Sequence, residues 1–449
     1  MRHFYLLNCA IVFCCLFLPS LSAALNIREV RSPSGITAWL AESHNVPVIS
    51  MSFRFRSGAA SDHPGKEGTA HFLSAMLDEG AGELNSQGFQ EKLADLSIEM
   101  GFDAGLEHFS GSLRTLTKNS DEAFRLLQLA LTQARFDGEA IERVRAQMMG
   151  SLKSRLKRPS TIASREWYKM FFGAHPYGRP ITGTIKTVSG IKREDLRNFV
   201  KNNLGQSNLV IGVAGDISPE KLSLKLDEIF SRLPRAAILR ELPEPHRIDS
   251  HGTILIEREF PQSVVVFGHQ GIKRDDPDWY AAYVLNNILG GGGFSSRLME
   301  QIREKRGLAY GVYTWLDPMD RTGLIMGEVA TDNSRVSESL KIIESEWRKI
   351  SQTGVSKTEL ESAKAYINGA FPLTLDSTRR ISKVLASVQF DRLGIDYLSQ
   401  RPKLINRVTT EDIRRVARRL LKASELRFLV VGKPKSLRSV NGLIKRFPD

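Results

Sequence analysis

One ten-residue stretch guides the interpretation of the whole chain: Gly68-Thr69-Ala70-His71-Phe72-Leu73-Ser74-Ala75-Met76-Leu77. We expect it to form a helix, in which positions 71 and 75 lie one turn apart on the same face. Position 71 carries an imidazole, whereas position 75 is an alanine and Ser74 precedes it. That face therefore offers one group able to bind a metal ion, His71.

The spacing matches a degenerate form of the inverted zinc motif H-x-x-E-H. In the intact motif both histidines bind zinc, and the glutamate takes a proton from the metal-bound water. Here His71 keeps the first position, Ser74 replaces the glutamate and Ala75 replaces the second histidine. Serine is not a useful base at this position, and alanine cannot bind a metal. A catalytic zinc normally needs three protein ligands, so one histidine cannot hold it.

The residues that frame this motif resemble the M16 peptidase family, which includes insulinase and the mitochondrial processing peptidase. They are Ala70-His71-Phe72-Leu73 and Met76-Leu77-Asp78-Glu79-Gly80. The resemblance implies a third zinc ligand, a glutamate, on a downstream helix. The matching helix is expected over residues 141–149, where Met148 or Met149 occupies the ligand position. We therefore predict no metal or other cofactor in this chain.

A rebuilt metal site is an alternative to that prediction. Nearby candidate ligands are His63, His71, His108, Glu67, Glu79 and Glu107. Only Glu67, four residues before His71, has helical ligand spacing with it. With such a site the chain would be a stand-alone metallopeptidase.

The first 23 residues are typical of a secretory signal peptide. Arg2 precedes an apolar run over residues 4–18, and small residues reach Ala23, where cleavage is expected. The run is shorter than the roughly 20 residues that span a bilayer. All three cysteines, Cys9, Cys14 and Cys15, lie in this segment, which suits an oxidising compartment. We expect an exported, periplasmic protein without a stable membrane anchor.

The formal net charge of the chain is +13 at pH 7. A basic balance of this size could attract nucleic acid, an anionic membrane surface or acidic peptides. Nucleic acid would be unusual outside the cytoplasm, and the basic residues are scattered among acidic ones. We therefore predict no nucleic-acid partner.

An internal repeat predicts two related α+β domains. Strands with alternating apolar residues are expected at 35–40 and 47–55, and again at 252–257 and 262–268. A helix follows each pair, and each half closes with a hydrophobic strand, at 208–215 and 426–432. Self-similarity on this scale indicates a duplication in which each copy buries its own core.

The predicted organisation has four parts: a signal peptide at 1–23, an N-terminal-type M16 domain at 24–232, a proline- and charge-rich linker at 233–250, and a C-terminal-type M16 domain at 251–449. Each domain is expected to be a mostly antiparallel sheet packed with helices.

A second informative stretch follows the glycine run at 290–293. Ser295 or Ser296 is expected to cap a helix that buries Leu298 and Ile302, and Gly307 is expected to end it. A strand should follow over residues 309–315. The chain then turns back, which brings Tyr310 near Arg303.

Arg303 and Tyr310 match an arginine and a tyrosine that M16 enzymes bring to the zinc site from their second half. The resemblance implies that they hold the substrate carbonyl and stabilise the oxyanion. Gly291, Gly292, Gly293 and Phe294 are candidates for backbone contact with an extended peptide. The alternative for the glycines is a flexible turn before the helix.

Together these features predict the zinc-free subunit of a periplasmic M16-type heterodimer that cleaves peptides. Zinc and an intact H-x-x-E-H would come from a separate partner subunit. The alternative is a catalytically inactive structural or peptide-binding homologue, comparable to the core proteins of respiratory complexes.

Overall fold

The computed structural model describes residues 25–246 and 252–435, together with Leu437 and the short strand at 443–444. The predicted signal peptide and the end of the predicted linker lie outside the described residues. The described part of that linker, residues 233–246, contains no helix or strand.

Two six-stranded sheets form the framework of the protein. The first contains β1 (Ile27–Arg31), β2 (Thr37–Glu42), β3 (Val48–Phe55), β4 (Glu99–Ala104), β5 (Phe109–Leu116) and β6 (Leu209–Gly215), in the order β1-β2-β6-β3-β5-β4. The second contains β7 (Gly252–Glu257), β8 (Gln262–Gln270), β9 (Ala309–Pro318), β10 (Gly323–Asp332), β11 (Arg427–Gly432) and β12 (Leu443–Ile444), in the order β12-β7-β11-β8-β10-β9.

The two sheets repeat one topology, which confirms the predicted pair of α+β domains. In each, the closing strand lies between the first two repeated strands, parallel to one and antiparallel to the other. The outer strand differs: β1 comes before the repeated strands in the chain and runs antiparallel to β2, whereas β12 comes after them and runs parallel to β7. The sheets are otherwise antiparallel.

Fourteen α-helices are present in the described residues. Those of the first domain are α1 (Thr69–Ser74), α2 (Ser86–Asp95), α3 (Ser120–Thr132), α4 (Gly138–Arg155), α5 (Pro159–Phe172), α6 (Ile185–Ser189), α7 (Arg193–Asn203) and α8 (Pro219–Phe230). Those of the second are α9 (Trp279–Asn286), α10 (Val336–Thr353), α11 (Lys357–Ala370), α12 (Thr378–Phe390), α13 (Tyr397–Asn406) and α14 (Thr410–Leu420).

Strand β3 shows why both faces of the first sheet are covered. Its alternate residues Met51 and Phe53 are buried in the core of the first domain. The intervening Ser50 and Ser52 face α12, where their hydroxyls lie 2.9 Å from Thr378 Oγ1 and 3.0 Å from Ser382 Oγ. The sequence alternation therefore separates an apolar face from a small polar face that receives a helix of the other domain.

The two domains exchange one helix each. Helix α12 of the second domain lies across β3 and β6 of the first. Helix α5 of the first lies across β8 and β11 of the second, where Trp167 is fully buried with Val266 and Leu429. The sequence did not predict this exchange, because each helix packs on strands that lie far from it in the chain.

Candidate functional site

Helix α1, which carries the degenerate motif, is shorter than the sequence predicts. It begins after Gly68, whose φ of +97° favours glycine, and it ends at Ser74. Ala75 N–H then bonds to Phe72 O, a tighter i to i−3 contact that closes the helix. Position 75 is therefore the end of the helix, and the following residues form turns.

The start of α1 is held by a buried carboxyl group. Asp62 accepts hydrogen bonds from Gly68 N–H at 2.8 Å and from Ala70 N–H at 3.0 Å. It is 2 % exposed, and burial raises its pKa to about 7. These bonds satisfy backbone donors that the first turn of a helix leaves unpaired.

His71 faces helix α4 across a cavity of about 230 Å³. The wall opposite includes Gln147, Met148 and Ser151, and Met149 does not line it. Burial lowers the pKa of His71, which favours the neutral ring. Ser74 Oγ donates to His71 O at 2.8 Å, so the hydroxyl bonds within its own helix. These side chains do not fit a catalytic zinc, because His71 has no second imidazole or carboxylate ligand beside it.

The other candidate ligands bond elsewhere. Glu79 pairs with Arg143 at 2.7 Å, and Glu107 accepts from Tyr177 Oη and from Asp320 N–H. The remaining groups also have contacts of their own: His63 with Pro64 O, Glu67 with Gly65 N–H, and His108 with the ring of Phe390. Over the described ranges, no three His, Cys, Asp or Glu side chains are placed to hold a metal. The structure gives no support to a rebuilt metal site.

The glycine run packs tightly against its surroundings. A Cβ atom on Gly290 would lie 2.6 Å from Thr314 Oγ1, and one on Gly292 would lie 2.7 Å from Asn287 O. Gly292 is buried, while Gly291 and Phe294 are exposed. Close packing against β9 is thus a structural reason for the glycines, and a peptide could reach only part of the run.

The helix after the glycine run continues to Glu304, with π-helical geometry over Met299–Glu304. Leu298 and Ile302 are fully buried as predicted, and Gly307, at φ +59°, ends the helix. Ser296 takes the predicted N-cap position, with an extended backbone and a carbonyl that accepts from Glu300 N–H at 3.0 Å. Its hydroxyl does not cap the helix but donates back to Gly293 O at 2.8 Å.

Arg303 and Tyr310 are brought together, as the helix-turn-strand pattern predicts. The Arg303 guanidinium carbon lies 4.8 Å from the centre of the Tyr310 ring and 4.3 Å from that of Phe294. Both distances suit cation–π contact. Tyr310 is 82 % exposed and Phe294 62 % exposed. We call Phe294, Arg303 and Tyr310 the arginine–aromatic cluster.

An ion pair fixes the helix that carries this cluster. Arg297 Nε donates to Glu359 Oε1 of α11 at 2.6 Å, and Nη2 donates to Oε2 at 2.9 Å. The bidentate bond holds the pKa of Glu359 at about 2 against the opposing effect of burial. The helix that carries Arg303 is therefore tied to α11 of the same domain.

Further aromatic residues continue from the cluster along β9, the outermost strand of its sheet. Tyr313 is 49 % exposed and Trp315 is 37 % exposed. Neither was predicted from the sequence as a site residue, although their alternation with Val312 and Thr314, which are buried, is visible there. Part of the outer edge of β9 is already occupied, since Val312 N–H donates to Met299 Sδ at 3.4 Å and Thr314 O accepts from Asn286 Nδ2 at 3.2 Å.

Two protein-family models match consecutive parts of the chain. The model described as insulinase (peptidase family M16) matches residues 38–185, and the model described as peptidase M16 inactive domain matches residues 190–367. The chain belongs to the M16 peptidase family. No helix of this M16 protein, within the residues that the structure describes, has the length and apolar character needed to cross a membrane.

Similar M16 proteins carry different names. The "Non-peptidase homolog YmxG" of Helicobacter pylori is 25 % identical over 88 % of this chain and 90 % of its own. An "uncharacterized zinc protease" of Streptomyces coelicolor is also 25 % identical, over 88 % of this chain and 87 % of its own. A crystal structure of a peptidase M16 inactive domain from Pseudomonas fluorescens superposes with a TM-score of 0.86 at 26 % identity, covering 93 % of this chain and all of that one.

Proposed function

We propose that this protein is the zinc-free subunit of an M16-type peptidase heterodimer. One contrast carries the proposal: the metal-binding face has lost its ligands, whereas the arginine–aromatic cluster is assembled and open to solvent. A chain that had lost every function in proteolysis would have no need to keep a charged group between two exposed rings. The similar protein named as a non-peptidase homologue supports a role without catalysis by this chain alone.

In the proposed role, Arg303 and Tyr310 contact the peptide at the scissile bond. A guanidinium and a phenol O–H both donate hydrogen bonds, so they can hold a carbonyl oxygen and stabilise the negative charge that develops on it. The exposed rings of Tyr313 and Trp315 continue from Tyr310 along β9 and would offer an extended peptide an aromatic surface.

The partner would be an M16 subunit with an intact H-x-x-E-H. It would supply the zinc ion and the general base, since His71, Ser74 and Ala75 cannot. The signal-like first 23 residues favour assembly of the two subunits in the periplasm.

The proposal is tested by isolating the tagged chain from the periplasm of its host and assaying peptide cleavage with and without a zinc chelator. We expect chelator-sensitive activity that copurifies with a second M16 chain. Arg303→Ala should then lower kcat by at least about tenfold, as removal of an oxyanion donor does in other enzymes. Arg306→Ala is the matched control, because Arg306 lies about one turn later and, among the residues that the structure describes, its side chain bonds only to Gln301.

Two results would count against this function. If the chain is recovered alone and inert, a structural or peptide-binding role without proteolysis becomes the better account. If an active complex forms but Arg303→Ala and Arg306→Ala behave alike, the cluster takes no part in the reaction.

A further inference from the structure

A cleft of about 840 Å³ separates the two domains. Its size lies in the range of ligand pockets, roughly 300 to 1,000 Å³. The first domain contributes the β4–β5 turn, the end of α4 and one side of α5, and the second contributes the β9–β10 turn and the end of α12. Arg155 and Thr182 line both this cleft and the cavity beside His71, so the two spaces adjoin.

Five arginines line the cleft: Arg54, Arg155, Arg158, Arg165 and Arg179. The Arg54 guanidinium lies 5.7 Å from the centre of the Phe390 ring, and that of Arg179 donates to Asp62 O. The guanidinium groups of Arg155 and Arg158 make neither a hydrogen bond nor an ion pair with any residue in the described ranges. These two charges stand three residues apart, where α4 ends and α5 begins.

The carboxyl groups of the cleft do not neutralise those two arginines. Asp317 accepts a hydrogen bond from Tyr168 Oη at 2.5 Å, and Glu107 is bonded to Tyr177 and Asp320. Burial raises the pKa of Glu328 and of Asp391. Five arginines face these four carboxyl groups in the lining, so the cleft has a surplus of positive charge even when every carboxyl group is ionised.

One face of strands β9 and β10 borders the cleft. Tyr313 lies opposite Glu328, and Trp315 lies opposite Met326. Directly opposed residues share one face of a sheet, and Glu328 lines the cleft. A peptide lying over the exposed rings of Tyr313 and Trp315 would therefore lie on the face of the sheet that borders the arginine-lined space.

We propose that this cleft binds carboxylate groups of the peptide, so that acidic segments are the preferred substrate class. The inference rests on the proposed function in that a peptide lies along β9. Guanidinium groups suit carboxylates because the two can form paired, charge-assisted hydrogen bonds. Phe390 and Met319 supply apolar surface in the same cleft for the rest of the segment. The carboxylates can come from aspartate and glutamate side chains or from the terminal carboxylate of the peptide.

Equilibrium binding of fluorescent peptides to the purified full-length chain tests this. Four peptides of equal length distinguish the sources: acidic with an amidated C terminus, neutral with a free C terminus, neutral and amidated, and basic and amidated. We expect the acidic peptide to bind at least about tenfold more tightly than the neutral amidated one, and the basic peptide to bind least. The proposal is overturned if the acidic peptide and both neutral peptides bind equally. If only the peptide with a free C terminus binds more tightly than the neutral amidated one, the terminal carboxylate is the ligand.

The variant Arg155→Gln/Arg158→Gln should weaken binding of the preferred carboxylate peptide by about tenfold or more, the usual effect of losing a charge-assisted hydrogen bond. Arg348→Gln is the control, because Arg348 is exposed on α10 and pairs with Glu344. Equal affinities for the double variant and the control would refute the assignment. Binding requires no cleavage, so this result is independent of the Arg303→Ala assay that tests the proposed function.

Discussion

Gly212 lies where helix α12 of the second domain crosses strand β6 of the first, and Gly212→Ala tests the exchange of helices. A Cβ atom at this position would lie 2.3 Å from Ser382 O and 2.7 Å from Ala386 N. Both atoms belong to the backbone of α12, so no side-chain rotation relieves the clash. The helix must move away from the sheet, although an alanine is otherwise acceptable in a strand.

The expected loss follows from what α12 buries. Overpacking a close contact costs about 1 to 3 kcal/mol when the surroundings shift. A displaced α12 also loosens Leu385, which is fully buried against the first sheet, and a buried leucine contributes about 1.5 to 3 kcal/mol. Because a shift of a few tenths of an ångström exposes only part of that side chain, we expect Gly212→Ala to lower the free energy of unfolding by about 2 to 4 kcal/mol.

Thermal unfolding followed by circular dichroism measures this effect, with Gly150→Ala as the control. Gly150 lies inside α4, and a Cβ atom there would have no neighbour within 4 Å. This second change should raise stability by about 0.5 to 1 kcal/mol through helix propensity. Unchanged melting of Gly212→Ala beside a stabilised Gly150→Ala would show that α12 does not lie on the first sheet.

Three further predictions concern Glu107, Glu359 and Leu385. Burial raises the pKa of Glu107 to about 7, above its ordinary 4.5. Its contribution to stability is therefore full below pH 4.5 and is lost as pH rises through 7. In Glu107→Gln, the urea midpoint should depend less on pH between 4.5 and 7 than in the wild type. The pKa of Glu359 is shifted in the opposite direction, because Arg297 holds it at about 2. The contribution of Glu359 to stability is therefore present above pH 4.5 and lost as pH falls through 2. Glu359→Gln should lower the urea midpoint at pH 7 and leave it unchanged near pH 2. Leu385→Ala should cost about 2 to 5 kcal/mol, measured by urea unfolding at pH 7.

Each of these has a contrary outcome. If the urea midpoints of the wild type and of Glu107→Gln change in parallel between pH 4.5 and 7, the pKa of this carboxyl group is not raised in the folded protein. A Glu359→Gln midpoint equal to wild type at pH 7 would mean that the pair with Arg297 adds nothing to stability. A loss below 1 kcal/mol for Leu385→Ala would place that side chain in solvent.

Local sequence signals predicted the elements whose partners are close in the chain. Arg303 and Tyr310 are seven residues apart and are joined by a turn at Gly307, so their proximity followed from one helix, one turn and one strand. The duplication was also visible, because each copy repeats the same order of apolar strands. The length of α1 was predicted incorrectly, since its end at Ser74 is set by packing in the core of the first domain and not by any residue that breaks a helix.

The sequence by itself determined that the H-x-x-E-H motif of this M16 chain lacks its glutamate and its second histidine, because a side chain that is absent from the motif cannot be supplied by folding. It also determined the alternation of apolar and small polar residues on β3. Only the tertiary structure decided what covers the polar face, since periodicity shows which side of a strand is buried but not which helix buries it. The exchange of α5 and α12, and the arginine-lined cleft that it encloses between the domains, depend on contacts between residues far apart in the chain.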